Sequence, residues 1–251
     1  MDNVASNTSR HIAATAWRQP GGAVSKRQEP VSLYIGTDQR EAIGAAVFAH
    51  SVWSRATVPV QITALSEALG PLWGGQRDGS TRFGLARFLI PWFQGFSGWA
   101  LYADGSDMVC LADLAELWSL RDSHMAVQLV MHDYAPKHPT KFLGQPNEAY
   151  PRKNWSSLML INCGHYAWRR CTPDWVGSVS GETLHRFVWM DDARMGTLPA
   201  GWNWLDEFGP SDEAKLIHYT NGLPVWEPFD TWWCADAWRE ARARALHYDN
   251  E

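Results

Sequence analysis

Cysteine is scarce and unpatterned. Cys110, Cys163, Cys171 and Cys234 show no C-x-x-C spacing, and two of them lie inside strand-like apolar runs. That argues against both a zinc ribbon and a disulfide framework, and makes a reducing cytoplasm the expected compartment. Positive charge is also in short supply, with 22 basic against 27 acidic residues and a formal charge of −5. A surface that neutralises a long phosphate backbone needs the opposite balance, so nucleic acid is not an expected partner. Residues 1–30 are polar and hold no apolar stretch of the length a signal peptide or membrane span requires. They read as a flexible extension ahead of one domain over 31–251. No internal repeat is present, and no low-complexity tract outside that extension, which excludes a solenoid. Against these shortages stand sixteen tryptophans. Each buries a large flat face and offers one N–H donor, so most belong in the core, while a surplus also suits a cleft that stacks carbohydrate or nucleotide rings.

The remaining composition is that of a folding chain, 45% hydrophobic and 20% charged. After Pro30, VSLYIGTD (31–38) combines β-branched and aromatic residues before a turn, as a buried first strand does. Asp38 is placed to cap the next segment, QREAIGAAVFAHSVWSRA, in which Ile43, Ala46, Val47, His50, Ser51 and Trp53 define a helical face. VPVQITAL (58–65) reads as a strand, and a loop around Gly74 and Gly79 leads to TRFGLARFLIPWF (81–93). There Phe83, Ala86, Arg87 and Ile90 share one side of a helix that Pro91 interrupts. WALYAD (99–104) is a strand, LADLAELWSL (111–120) a helix, and AVQLVMHD (126–133) and SSLMLINC (156–163) are further strands. Strands alternating with helices predict an α/β sandwich with a mainly parallel sheet, whose ligands bind at the carboxyl ends of the strands.

Four places carry groups that chemistry can use. In A-D-G-S-D-M-V (103–109), Asp104 and Asp107 flank a Gly-Ser pair directly after an apolar strand. Asp, Gly and Ser are the usual turn residues, so turn formation by itself accounts for the pattern. The other reading is a divalent metal, Mn2+ or Mg2+, since hard cations take carboxylate oxygens and keep positions open for substrate phosphates. In KLIHYTNG (215–222), His218 ends a short apolar strand and is followed by Asn221 and Gly222. Imidazole is an acceptable manganese ligand, and a glycine there lets backbone N–H groups approach a diphosphate. Basic residues recur at Arg82 and Arg87 and at Arg152 and Lys153, where they either form solvated surface or offset a departing diphosphate. Asp191 and Asp192, after the amphipathic HRFVWM, either hold sugar hydroxyls or cap a helix.

Together, YIGTDQREAIGA, STRFGLARFLIP, GWALYADGSDMVCLADLAELW, KFLGQPNEAYPRKNWSSLMLINC, WMDDARMGTLPAGWNW and LIHYTNG resemble bacterial and phage glycosyltransferase-like proteins, and through them the glycogenin-like retaining enzymes of glycosyltransferase family 8. The resemblance covers about residues 31 to 240 in several ordered motifs. It implies a GT-A fold, the α/β fold of nucleotide-diphospho-sugar transferases, in which the strand-end acids of a D-x-D motif hold manganese against the diphosphate of the donor. Asp104 and Asp107 match those acids, and His218 matches the family's third ligand. Tyr34, Gly36, Thr37 and Asp38 match residues that touch the nucleotide, Arg87 the basic residue facing the donor, and Asp191 or Asp192 the acid that approaches the donor sugar. The motif here is D-G-S-D, one residue longer than D-x-D, so the second ligand needs a bulge or turn that Gly105 permits. Asn221 stands where the family has glycine, and LPVWEP lacks the family's lysine, a role that Lys153 is placed to take.

The expectation is therefore a metal-dependent hexosyltransferase that uses a UDP-linked sugar, acts with retention on an unidentified acceptor hydroxyl, and has no membrane span. Its rivals are a non-catalytic nucleotide-sugar-binding protein of the same fold, a hydrolase using Asp104, Asp107, Asp133 and His218 on a phosphate ester, and an assembly protein whose aromatic residues form interfaces.

Overall fold

The structure, a computed structural model, describes residues 29–37, 42–66, 84–141 and 144–246. Asp38, Gly74, Gly79, Arg82, Phe83 and the extension up to residue 28 lie outside the described residues. In chain order the elements are β1 (Val31–Thr37), α1 (Ala42–Trp53), β2 (Val60–Ser66), a 3-10 turn (Ala86–Leu89) running into α2 (Ile90–Phe93), β3 (Trp99–Ala103), β4 (Met108–Cys110), α3 (Leu114–Ser119) and β5 (Val127–Leu129). There follow the small hairpin β6 (Thr140–Lys141) and β7 (Gln145–Pro146), then β8 (Leu158–Asn162), α4 (Pro173–Ser178), α5 (Gly181–His185), β9 (Met195–Thr197), β10 (Trp204–Leu205), β11 (Leu216–His218) and α6 (Ala235–Leu246).

Six strands form the central sheet in the order β2-β1-β3-β8-β5-β9. β8 alone runs against the others, so the sheet is mainly parallel, as expected. Its inner strands β1, β3, β8 and β5 are largely apolar because both of their faces are buried, whereas the edge strands β2 and β9 are partly exposed. Side chains alternate between the faces with period two. Tyr34, Tyr102, Met159 and Ile161 meet the layer built from Leu85–Ile90, Trp168, Leu184 and Phe187. Leu33, Ile35, Leu101, Ala103 and Leu160 meet Phe48 and Val52 of α1, Leu117 of α3, and Trp202. Trp168, Trp202 and Trp238 are among the largest fully buried side chains, whereas Trp53, Trp92, Trp226 and Trp233 are exposed. All four cysteines are free and buried.

Three local expectations are corrected. The buried arc of α1 is Gly44, Ala45, Val47, Phe48, Ala49, Ser51 and Val52, whereas Ile43, Ala46 and Trp53 of the expected face are exposed. The helix is gripped on two sides, with Phe48 in the core of the central sheet and Val47 in a second cluster with Val109 and Trp238. A wide buried arc of this kind does not show as a narrow apolar stripe. Pro91 does not interrupt a helix but sits in the first turn of α2, where its missing N–H costs nothing. The segment around it is buried from Gly84 to Pro91, so it has no solvent face. Finally, a second sheet, β10-β11-β4, was not anticipated beyond the short strand at His218. β4 has only three residues and is hidden directly behind the D-G-S-D motif.

That second sheet is joined closely to the first. β3 lies in the central sheet and β4 in the smaller one, and the four residues Asp104–Asp107 make the crossing. α1 holds the crossing in place. The Oγ of Ser51 accepts the Cys110 N–H at 2.9 Å, and Gly44 lies so close to the turn that a Cβ there would stand 1.8 Å from the Ser106 carbonyl oxygen. A Gly44→Ala substitution therefore has to displace either the helix or the turn. The expected result is a loss of about 1–3 kcal/mol, read as a lowered urea midpoint with an unchanged slope, and no loss of stability would show that α1 does not bear on the turn.

Candidate metal and donor site

The extra residue of D-G-S-D is absorbed at Gly105, which has φ of +68°, a conformation that a Cβ makes costly. A side chain there would also sit 2.9 Å from the Cβ of Ile35 and 3.5 Å from the Gly36 carbonyl oxygen. Gly105 thus lets the turn lie flat on the carboxyl end of β1. Register does the rest. Met108 of β4 pairs with His218 of β11, and the Tyr219 N–H donates to the Asp107 carbonyl at 2.8 Å. As a result one ligand-type atom from each of Asp104, Asp107 and His218 lies within 4.8 Å of the others. Among the described residues this is the group able to hold a metal, and Asp133, exposed, does not join it.

Asp104 is held at the end of β3 by its backbone N–H, which donates to the Ser157 carbonyl. One carboxylate oxygen, Oδ1, accepts the Tyr102 hydroxyl at 2.6 Å and the Arg87 guanidinium at 2.7 Å, leaving Oδ2 for a ligand. Arg87 also donates to the carbonyls of Gly84 and Ser156, both at 2.8 Å, and lies 4.6 Å over the Tyr102 ring. This buried arginine was expected to face the donor. In the structure it orients Asp104 and neutralises part of its charge.

His218 is 3% exposed, and its Nε2 stands 3.5 Å from Asp107 Oδ2. Its Nδ1 lies 3.0 Å from Oδ1 of Asn203, which is fully buried. The Asn203 amide donates to Ser157 Oγ at 2.8 Å and to the Asn154 carbonyl at 3.2 Å, so its oxygen must face the ring. Nδ1 then carries the proton and Nε2 offers its lone pair towards the acids, the tautomer that a metal ligand requires. Burial disfavours charge on His218, but Asp107, with Asp104 and Asp206 beyond it, draws the imidazole above its ordinary pKa. Burial likewise opposes the charge of Asp107, and the His218 ring, helped by Lys141 and Arg87, brings its carboxyl below the usual range. The Oδ1 atom of Asp107 is buried and has no hydrogen-bond partner among the described residues.

The other expected residues are distributed unevenly. Gly36 and Thr37 end β1 beside the motif, whereas Tyr34 pairs with Tyr102 and its ring belongs to the core. Lys153 is 8% exposed, donates from Nζ to the Glu148 carbonyl, and is pushed by burial, with Lys141 nearby, down to about 8. Asn221 is fully buried, with its amide 3.0 Å from Glu207 Oε1 and 3.4 Å from Asp206 Oδ1, and Gly222 follows with φ of 151°. Asp191 caps a 3-10 turn at Ala193, and Asp192 binds Arg152 through both oxygens at 2.7 and 2.8 Å. Both acids are exposed just before β9, whose first residue is level with Val127 and, across β8, with Ala100 near the amino end of β3. Asp104 stands at the carboxyl end of that strand.

Several neighbours of the site carry no signal in the sequence. Asp206 and Glu207 follow β10 beside His218, and Glu207 accepts from Tyr134, Lys137 and Asn221. His132 is pushed down to about 4 by burial and by His218, and its Nε2 is buried without a partner. Lys141 bears on both Asp107 and Lys153. The stretch GWNWLDE, which holds Asn203, Asp206 and Glu207, is polar at positions that open no motif, and only the pairing of β10 with β11 gives those positions meaning.

No family model matches the chain. It is 38% identical over 226 residues to protein CDI of Arabidopsis thaliana, covering 85% of this chain and 86% of that one. The chain belongs to the protein CDI family. Among solved structures this CDI-family chain is similar to the bifunctional glycosyltransferase WbbM in apo form, with a TM-score of 0.59 and 17% identity over 88% of this chain. It is similar to the glycosyltransferase GlyE of Streptococcus pneumoniae TIGR4, at 0.58 and 15% over 88% of this chain. It is also similar to the galactosyltransferase LgtC in complex with donor and acceptor sugar analogues, at 0.54 and 14%, covering 88% of this chain and 98% of that one. The chain spans 51% of WbbM and 61% of GlyE. At such identities the likeness establishes the fold, which is GT-A, as the motifs implied. The narrower grouping with glycogenin-like enzymes rests on those motifs alone. Among the described residues, no helix of the CDI-family chain is long and apolar enough to cross a membrane.

The Arg87–Asp104 pair is a test of the site's construction that needs no ligand. An Arg87→Leu protein retains the Asp104 carboxylate without its partner and leaves the Gly84 and Ser156 carbonyls without their donor. A destabilisation of about 3 kcal/mol or more is expected, measured by urea unfolding, and a loss below 1 kcal/mol would mean that the pair is solvated rather than structural.

Proposed function

We propose that the chain is a metal-dependent glycosyltransferase that moves a hexose from a UDP-linked donor to the hydroxyl of an acceptor, with retention. The observation that carries this reading is the convergence of Asp104, Asp107 and His218 at the carboxyl end of a parallel strand in a GT-A fold. Two carboxylates and a neutral imidazole suit manganese, and the fit is supported by two local facts. Asp107 Oδ1 is buried without a partner among the described residues, and Asn203 turns the lone pair of His218 towards the acids. When bound, the ion supplies positive charge against the diphosphate as the glycosidic bond breaks.

The chain's own residues prepare that event. Arg87 holds Asp104 in one rotamer and leaves its second oxygen free. Lys141, exposed on the hairpin and bearing on Asp107, and Lys153, partly stripped of its water and near Lys141, are assigned to the outer oxygens of the diphosphate. Gly36 and Thr37, with the main chain near Gly222, are assigned to the nucleotide and the diphosphate. Glu207 ties Tyr134 and Lys137 of the connection leading to the hairpin back to β10, which keeps the loop that carries Lys141 beside the metal ligands. The hydrolase reading loses weight because Asp133 does not join the group.

Calorimetry with UDP, in the presence and absence of manganese, tests this. Manganese-dependent binding that disappears in Asp107→Ala is the expected result, and absence of UDP binding with either manganese or magnesium overturns the proposal. In Asn203→Leu the His218 ring loses its orienting partner. Manganese affinity, followed by electron paramagnetic resonance, is expected to fall about 10–100-fold.

A further inference from the structure

At the opposite end of the central sheet lies a cavity of about 380 Å³ that the proposed reaction does not use. It is lined by Tyr166, Arg169, Arg170, Trp189, Asp191 and Arg194. β8 runs against its neighbours, so its carboxyl end, Asn162, pairs with Trp99 at the start of β3. The 3-10 turn that follows, Tyr166–Arg170, is therefore at the amino end of the parallel strands, and so is the segment just before β9. The five residues of β3 separate this end from Asp104, a distance of about 17 Å at ~3.3 Å per residue.

The arginines are what distinguish the cavity. Eleven arginines lie among the described residues. The guanidinium groups of Arg55, Arg87, Arg121, Arg152, Arg186, Arg239 and Arg244 all have hydrogen-bond or ion-pair partners. Of the four whose guanidinium groups have none among the described residues, three, Arg169, Arg170 and Arg194, line this one cavity. In a chain of net charge −5 three such cations around one cavity set up a local positive field that attracts an anion. Arg169 and Arg170 are steadied over the rings of Phe96 and Trp175, at 5.1 and 5.3 Å. Two donors of the walls, Arg194 Nε and Trp189 Nε1, are buried with no acceptor among the described residues.

The walls indicate the rest of the ligand. Tyr166 is 66% exposed and tilts against His165 at 4.5 Å, and together with Trp189 it offers ring faces suited to the apolar face of a sugar. Asp191 uses one carboxylate oxygen to cap Ala193, and the other is free to accept a hydroxyl. The volume is that of a small-molecule site. From these observations we infer that this cavity binds a phosphorylated monosaccharide, with the phosphate on the planar forks of Arg169, Arg170 and Arg194, the ring against Tyr166 and Trp189, and a hydroxyl on Asp191. The site is separate from the metal group and independent of the reaction assigned to it.

Calorimetry in buffer containing EDTA, which silences metal-dependent binding, tests the inference with glucose 6-phosphate, inorganic phosphate and glucose as separate probes. Glucose 6-phosphate is expected to bind more tightly than either fragment, with affinity lowered about ten-fold or more in Arg170→Gln and retained in Asp107→Ala. Arg170 is exposed, so this substitution leaves the fold intact, as circular dichroism can verify, and Arg169→Gln provides a second variant of the same kind. No binding of glucose 6-phosphate up to about 10 mM, binding unaffected in both arginine variants, binding lost in Asp107→Ala, or equal affinity for inorganic phosphate alone would each overturn it.

Discussion

The structure depends on how closely the main chain packs where it passes from one sheet to the other. Between Ala103 and Met108 the chain leaves the central sheet and enters the small one, and the four residues of that crossing include both candidate acids. The crossing is possible because two glycines remove side chains at opposite sides of it. Gly105 lies on Ile35 and Gly36, and Gly44 brings α1 against Ser106. Both approaches are backbone against backbone or backbone against Cβ, where a methyl group has no room to relax.

The electrostatic arrangement follows from that crossing. Two carboxylates brought into one turn repel each other unless cations share the space. Arg87, from the buried 3-10 turn, neutralises Asp104, while His218, from β11, faces Asp107. The two supports are themselves joined, since Asn203 orients His218 and also donates to Ser157, whose carbonyl accepts the Asp104 N–H. Residues from four separate parts of the chain therefore constrain one cluster, a connectivity that gives hydrogen-bond networks more rigidity than their separate bonds provide. Glu207 and Asn221 extend the same network to the loop in front of it.

The two ends of the central sheet are used differently. At the carboxyl end the acids are compensated within the protein and one oxygen of Asp107 is left over. At the amino end, three guanidinium groups have no acid partner among the described residues. Unspent acceptors at one end and unspent donors at the other are opposite kinds of vacancy in the hydrogen-bond economy of one molecule, and they call for ligands of opposite sign.

Much of the central sheet was legible in the chain itself. β1, β3 and β8 are buried on both faces for most of their length, so Val31–Thr37, Trp99–Ala103 and Leu158–Asn162 are largely apolar and need no partner to be recognised. Asp104, Asp107 and His218 were visible as polar residues at the edges of apolar strands, but strand patterning left turn formation as a sufficient account of the acids, and the resemblance to glycosyltransferases singled out the three. What the sequence could not convey was anything that depends on register or rotation. β4 is three residues long, too short for periodicity, and exists only because β11 pairs with it. The buried arc of α1 is set by two different neighbours, so Ile43 and Trp53 face solvent although their hydrophobicity suggested otherwise. Asn203 is a ligand-orienting group only because β10 and β11 lie side by side, and Arg87 supports a carboxylate only because the buried turn that carries it packs beside β3. Composition and strand patterning thus determined the fold class, through local burial. Tertiary structure alone decided which groups face the acids, because those contacts join residues up to about a hundred positions apart, and nothing local in the chain records such a distance.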